Sequence, residues 1–291
     1  LFKHPLIGGR LIVLVLNIAT FFLTYSLTKR LIYEKTAVYA VVILTLSPLF
    51  ILTQSLALMD GLIFPISAVI LWLFMSDWKR HIFNAAAIAL FLGVALWIKT
   101  TAVLLFLLTL LGVCIKSKQE KLTLSWTFMI YVALIVLPLM MVTPLVMQKH
   151  VAKIIAEPGS FTFSMTELAR FPAHIWMRNI FLTMYSLAMY FNPMIIASIL
   201  LTGVLFRKKS YILLVLWFSV PCVFTMVIGK NFLIRYFVFA TIALIPYLAY
   251  GVSRFVEKTK HSWIILAFWS LSVGYSLFFI VKPVLFFSLF P

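Results

Sequence analysis

Long apolar runs alternate with short polar breaks from one end of the chain to the other. The runs near 10–28, 36–53, 61–76, 122–142, 180–206, 210–229, 235–251 and 262–281 approach the roughly 20 residues a helix needs to cross a bilayer core. Residues 82–115 form a further apolar run, interrupted by Trp97-Ile98-Lys99-Thr100-Thr101. One long tilted helix there would bury Lys99 in mid-bilayer and set the flanking basic clusters on opposite faces. A hairpin of two short spans, about 16 residues each, keeps Lys99 at the outer tip and avoids both problems. The pattern predicts an all-α integral membrane protein, a polytopic bundle of about ten transmembrane helices. It reads as a single transmembrane domain over 1–291, with a polar loop at 145–178. Within that loop Pro158-Gly159 marks a turn, and Met147 to Ile155 and Met165 to Ile175 show partial helical alternation. Short helices lying on the outer surface are expected there.

Composition sharpens this picture. Of the 291 residues 64% are hydrophobic and 11% charged, with a mean hydropathy of +1.14. Soluble domains hold about 45–50% apolar and about 25% charged residues, so the bilayer is the solvent. A formal charge of +17 would by itself suggest a nucleic-acid partner. Its distribution argues otherwise, because the Lys and Arg lie in short clusters between apolar runs, as the positive-inside rule describes. The clusters are Lys29/Arg30/Lys35, Lys79/Arg80, Lys116/Lys118/Lys121, Arg207/Lys208/Lys209 and Arg254/Lys258/Lys260. Placing all five in the cytoplasm makes the spans alternate consistently across the plasma membrane. Asp60, Lys99, the 145–178 loop and the Lys230/Arg235 link then fall on the extracytoplasmic face. Mixed-sign charge gathers there, against an opposite face that is strongly basic.

Each polar position has a plain reading beside a functional one. Asp60 starts an apolar run, where the helix macrodipole favours a carboxylate; acids beside spans are also often sites. Lys99 reaches the interface by snorkelling, or meets an anionic ligand. Arg235-Tyr236 reads first as an interfacial anchor pair. His150 and His174 read as solvated loop residues, and Cys114 and Cys222 as small buried hydrophobes inside apolar runs. The sequence carries no HExxH, P-loop, G-x-S-x-G or Gly-rich fingerprint. ATP-driven transport and hydrolase chemistry of those kinds lose support.

Four stretches in order resemble GT-C fold membrane glycosyltransferases of the protein-mannosyltransferase and aminoarabinose-transferase type (family 39). Gly9-Arg10-Leu11 with Thr28-Lys29-Arg30-Leu31 is similar to that family's second span and its cytoplasmic exit. Leu46-Ser47-Pro48-Leu49-Phe50 through Ser55-Leu56-Ala57-Leu58-Met59-Asp60 resembles its LSPLF…LALTDA stretch, with Gln54 near where the family often has Arg. Gly93-Val94-Ala95-Leu96-Trp97-Ile98-Lys99-Thr100 resembles its GLALLTK segment, and Ile234-Arg235-Tyr236-Phe237 with Pro246 its RYLLP segment.

The resemblance implies transfer of a sugar from a polyprenyl-phosphate-linked donor to a lipid, glycan or protein acceptor on the extracytoplasmic side. Cations there would hold the donor phosphate and stabilise charge on the leaving group. It points to Lys99, Arg235, Tyr236 and Arg178, with Arg170 as a further candidate, and to Asp60 as a second acid. The family's first outer loop, with the acidic pair taken to supply the catalytic base, has no counterpart before Asp60. The resemblance therefore implies that the first span and that loop are missing, and it assigns no catalytic base. It fixes no cofactor and leaves a divalent cation open. Two other classes compete. A transporter or lipid flippase should show inverted repeats and broken, charged mid-spans; Pro65, Pro193 and Pro221 break spans, but no repeat pairs them. A non-catalytic membrane subunit of the same fold is the second, favoured by the missing acidic loop.

Overall fold

The computed structural model describes residues 5–48, 50, 59–76, 78, 81–99, 102–147, 162–202, 211–230 and 238–289. Among them the only β pairing is an isolated antiparallel bridge between Thr162 and Gly229. Everything else of regular structure is helical, as it must be where the solvent is lipid and each backbone polar group needs a partner within its own segment. In chain order the first helices are α1 (Pro5–Leu31), α2 (Glu34–Thr45), α3 (Met59–Met75), α4 (His81–Ile98), α5 (Val103–Gln119) and α6 (Leu124–Val146). Then come α7 (Met165–Ala169), α8 (Ala173–Tyr190), α9 (Pro193–Thr202), α10 (Tyr211–Ile228), a 3-10 segment (Val238–Leu244), α11 (Ile245–Lys258) and α12 (Ser262–Leu289). Leu11–Leu31, Leu124–Pro144 and Val238–Lys258 are long and apolar enough to cross a membrane, and four shorter apolar helices accompany them. The protein is an all-α polytopic membrane protein.

The described helices fall into two compact units. The first contains α1, α2, the end of α8, α9, α11 and α12. Its core is built on α11 against α2 and α9, with α1 laid on α2. Ala37, Ala40, Ala249 and Gly251 are buried at these contacts, where small side chains let helices approach closely. The second unit holds nearly all of α3, then α4 to α7, most of α8, and α10. Its core centres on Phe74, which stacks on Trp78 at 5.6 Å and meets Trp217 edge-on at 6.1 Å. The Trp217 indole N–H donates to Ser67 Oγ at 3.0 Å, so a buried polar group keeps its partner. α4 packs chiefly on α6. Gly93 lies so close to Met141 that a Cβ there would collide with the Met141 sulfur, which explains the glycine in that stretch.

One expected boundary holds and two others differ. The 82–115 run forms two helices, α4 and α5, as the hairpin reading expected, and both pack on α6. The run at 180–206 is not one span. It breaks after Phe191, where Asn192 takes a left-handed φ of 68° and Pro193 opens α9. Proline cannot continue a helix, and asparagine tolerates that backbone better than most residues. The Asn192 amide then donates to Ser272 O at 2.8 Å and Ser276 Oγ at 3.2 Å, so the break carries its own partners. The run at 235–251 extends to Lys258 because α11 keeps one buried face, through Ser253, while Arg254, Glu257 and Lys258 occupy the other. Cys114 needs a correction too. It is exposed, on the same outward stripe of α5 as Leu107 and Leu111, and is not part of a core.

Candidate functional site

A helix leaves its last four carbonyls without partners, and at a membrane surface they form an electronegative end. In the second unit the end of α10 is covered. Asn179 Nδ2 donates to Met226 O at 3.0 Å and to Gly229 O at 2.8 Å. The Trp176 indole N–H donates to Val227 O at 2.9 Å, and the Phe163 backbone N–H to Ile228 O at 2.9 Å. Arg178 Nη2 donates to Lys230 O at 2.5 Å. Five consecutive carbonyls thus accept from residues 163–179. Asn179 is fully buried, and its Oδ1 accepts from Arg178 Nη2 at 3.4 Å. The chain turns into this arrangement through Phe171 at φ 53°, whose ring meets Trp176 edge-on at 4.6 Å.

Charge completes the cluster. Ser164 caps α7 in a reciprocal box: its N–H donates to Glu167 Oε2 at 2.8 Å, and the Glu167 N–H donates back to Ser164 Oγ at 3.3 Å. The other Glu167 oxygen pairs with Lys230 Nζ at 2.8 Å. The Lys230 bond, followed by the Ser164 backbone bond, holds the Glu167 carboxyl down at about 2. With its carbonyls covered and Arg178 and Lys230 beside them, this helix end favours an anionic group where a bare terminus would repel one. A guanidinium offers five donors in a fork suited to phosphate, and Arg178 is exposed.

The residues singled out in the sequence distribute unevenly. Arg178 stands in this cluster on the first turns of α8, a helix that begins inside the expected polar loop; His174 rides the same turns, exposed. Arg170 closes α7, its N–H donating to Glu167 O at 3.2 Å. Lys99, half-buried, follows the last residue of α4 in the same unit. Its N–H donates to Ala95 O at 2.9 Å and its carbonyl accepts from Ala102 N–H at 3.1 Å. A cation at a helix C-terminus is favoured by the macrodipole. Asp60 is the second residue of α3, on a backbone that belongs to the first unit; its side chain is outside the described part. Arg235, Tyr236, Gln54 and the stretch 148–161, with His150 and the Pro158-Gly159 turn, lie outside the described residues. Trp176 and Asn179 escaped sequence reasoning. Their only signal is an i, i+3 spacing, which places both on one helix face. Among the described residues no three His, Cys, Asp or Glu side chains gather, so the divalent cation left open by the resemblance finds no ready-made protein cage there.

Residues 1–147 match a protein family described as dolichyl-phosphate-mannose-protein mannosyltransferase. The match includes the stretches around Asp60 and Lys99 and ends before Arg178, Arg235 and Tyr236. No curated protein matches the chain.

Proposed function

The chain belongs to the dolichyl-phosphate-mannose-protein mannosyltransferase family, a family of membrane glycosyltransferases, and on that premise we propose that it transfers a sugar from a polyprenyl-phosphate-linked donor to an acceptor on the extracytoplasmic face. The acceptor oxygen attacks the anomeric carbon, the bond from that carbon to the phosphate oxygen breaks, and the polyprenyl phosphate leaves with the electron pair. Negative charge therefore grows on the phosphate, and fixed cations stabilise it best where water is scarce. Arg178, Lys99, Arg235 and Tyr236 are the groups we assign to the donor phosphate. Asp60 is the second acid, orienting the acceptor. The base that takes the acceptor proton is left unassigned. The polyprenyl chain needs only apolar helix surface, which α6 offers with Phe128, Met129, Leu139 and Met140 exposed.

The observation that carries this proposal is the family match across 1–147, which takes in both Asp60 and Lys99. The covered end of α10, with Arg178 and Lys230 beside it, supports it from the other half of the chain. The deciding experiment titrates polyprenyl phosphate onto the purified chain in nanodiscs, with sugar transfer assayed alongside. Donor binding should weaken about tenfold or more in Lys99→Met and Arg178→Ala, the loss of one charge-assisted contact. Asp60→Asn should leave donor binding intact and abolish transfer. Unchanged donor affinity in both cation variants would remove these residues from the site, and no donor binding at all by the folded chain would turn the proposal towards a transporter or a non-catalytic subunit.

A further inference from the structure

Two apolar helical stretches long enough to span a bilayer, Leu11–Leu31 and Val238–Lys258, end at one corner of the first unit. Tyr33 makes the connection across more than 200 residues of sequence. Its phenol oxygen lies 2.9 Å from Ser253 Oγ and donates to Glu257 Oε1 at 3.3 Å, and its ring meets Tyr250 edge-on at 6.5 Å. On the α1 side the Tyr25 hydroxyl donates to Glu34 at 2.9 Å, and Lys29 pairs with the same carboxylate at 3.1 Å while lying 5.8 Å from the Tyr25 ring centre. On the α11 side Arg254 pairs with Glu257 at 3.3 Å and lies 5.9 Å from the Tyr250 ring centre.

Both carboxylates are therefore occupied from within the protein. Around them Lys29, Arg30, Lys35, Arg254, Lys258 and Lys260 are all exposed, six cations against two acids. The span ends fix the depth, since residues at the close of a membrane helix sit at the headgroup layer, where tyrosines also concentrate. The positive-inside rule explains why such residues lie in the cytoplasm. It does not explain why cations from opposite halves of the sequence are tied by hydrogen bonds onto one spot, with their acids already neutralised. A fixed cationic corner at headgroup depth is complementary to a phosphate ester there.

We propose that this corner binds anionic phospholipid headgroups of the cytoplasmic leaflet, with Lys29, Lys35, Arg254 and Lys260 as the principal contacts and Tyr33 as the residue that assembles them. It is a lipid site separate from the sugar-donor reading and does not depend on it.

Native mass spectrometry of the full chain, released from micelles holding equal phosphatidylglycerol and phosphatidylcholine, tests this directly. Wild type should retain phosphatidylglycerol several-fold over phosphatidylcholine. The Lys29→Gln/Arg254→Gln variant should lose at least half of that preference. Because it also breaks two ion pairs, Lys35→Gln/Lys260→Gln serves beside it, touching none of the bonds named above, and should lose a comparable part. Lys116→Gln/Lys118→Gln/Lys121→Gln, a basic cluster in the second unit, should keep the wild-type preference. Absence of any preference in wild type overturns the proposal. So does an equal loss in the Lys116 series, which would mean that total charge, and not this corner, attracts the lipid.

Discussion

Glu167 makes three contacts that only an ionised carboxylate can hold together: the Lys230 ammonium, the Ser164 N–H and the Ser164 hydroxyl. Its carboxyl is accordingly held at about 2 against an ordinary 4.5. A carboxylate with a lowered folded pKa stabilises the fold fully above its unfolded value and progressively less as pH falls towards the folded one. Thermal unfolding of wild type and Glu167→Gln in detergent should therefore differ at neutral pH, with wild type the more stable. The difference should shrink below about pH 4.5 and close by about pH 2. A difference that persisted at the acid limit would mean that shape, not charge, gives Glu167 its effect. At this scale the sequence was informative about residue type and silent about partners. Arg178 stood out as a cation in a polar stretch, yet that it would grip the carbonyl of Lys230 depends on a contact 52 residues away. Cys114 misled for the opposite reason, since an apolar run looks the same whether a given position in it is exposed or buried.

Among the elements, α10 shows most clearly where local pattern ends and tertiary structure begins. Its apolar run marks it as a span, but nothing local supplies partners for its last carbonyls. They come from Phe163, Trp176, Arg178 and Asn179 on a segment some 50 residues upstream in sequence. The same limit applies at Asn192, where Pro193 marks the break in the sequence but the partners that hold the amide, Ser272 and Ser276 of α12, come from a distant segment. Long spans, by contrast, were legible because lipid demands apolar length and helical bonding together. Asn179→Leu tests how much the trans cap contributes. The substitution keeps the volume roughly constant, removes both donors, and leaves the Met226 and Gly229 carbonyls short of partners at a buried position. Unpaired buried groups cost about 1–3 kcal/mol. Interhelical bonds inside membranes average nearer about 0.6 each, so two lost bonds set a floor of roughly 1. Reversible unfolding in mixed micelles should show a loss within those bounds, with Met177→Leu on the exposed side of α8 close to neutral. An Asn179→Leu variant as stable as wild type would mean that water supplies the carbonyls once the amide is gone, and that the cap is ornamental to stability.

For the whole molecule, fold class followed from hydropathy alone, and family from a few ordered motifs, of which those up to Lys99 fall within the matched residues 1–147. Harder to read was the division of labour along the chain. Each compact unit is assembled from separated stretches, with α11 of the C-terminal part completing the core around α2. Discontinuous assembly leaves no boundary in composition, so neither unit can be read off the sequence. Sidedness can now be put to a sharper test than charge counting permits. Tyr33 ties the start of α2 to the end of α11, so Lys35 and Lys258 must lie on one face of the membrane if the first unit is folded as described. The polar stretch at 162–170 should lie on the opposite face if donor and acceptor meet outside. In a Cys114→Ser/Cys222→Ala background, Lys35→Cys and Lys258→Cys should both resist a membrane-impermeant maleimide added to intact cells and react after permeabilisation. Thr166→Cys should react in intact cells. Labelling of Lys35→Cys and Lys258→Cys from opposite sides would contradict the corner built by Tyr33. A protected Thr166→Cys would place the α10 cluster in the cytoplasm, beyond the reach of an extracytoplasmic acceptor, and would separate it from sugar transfer while leaving the fold untouched.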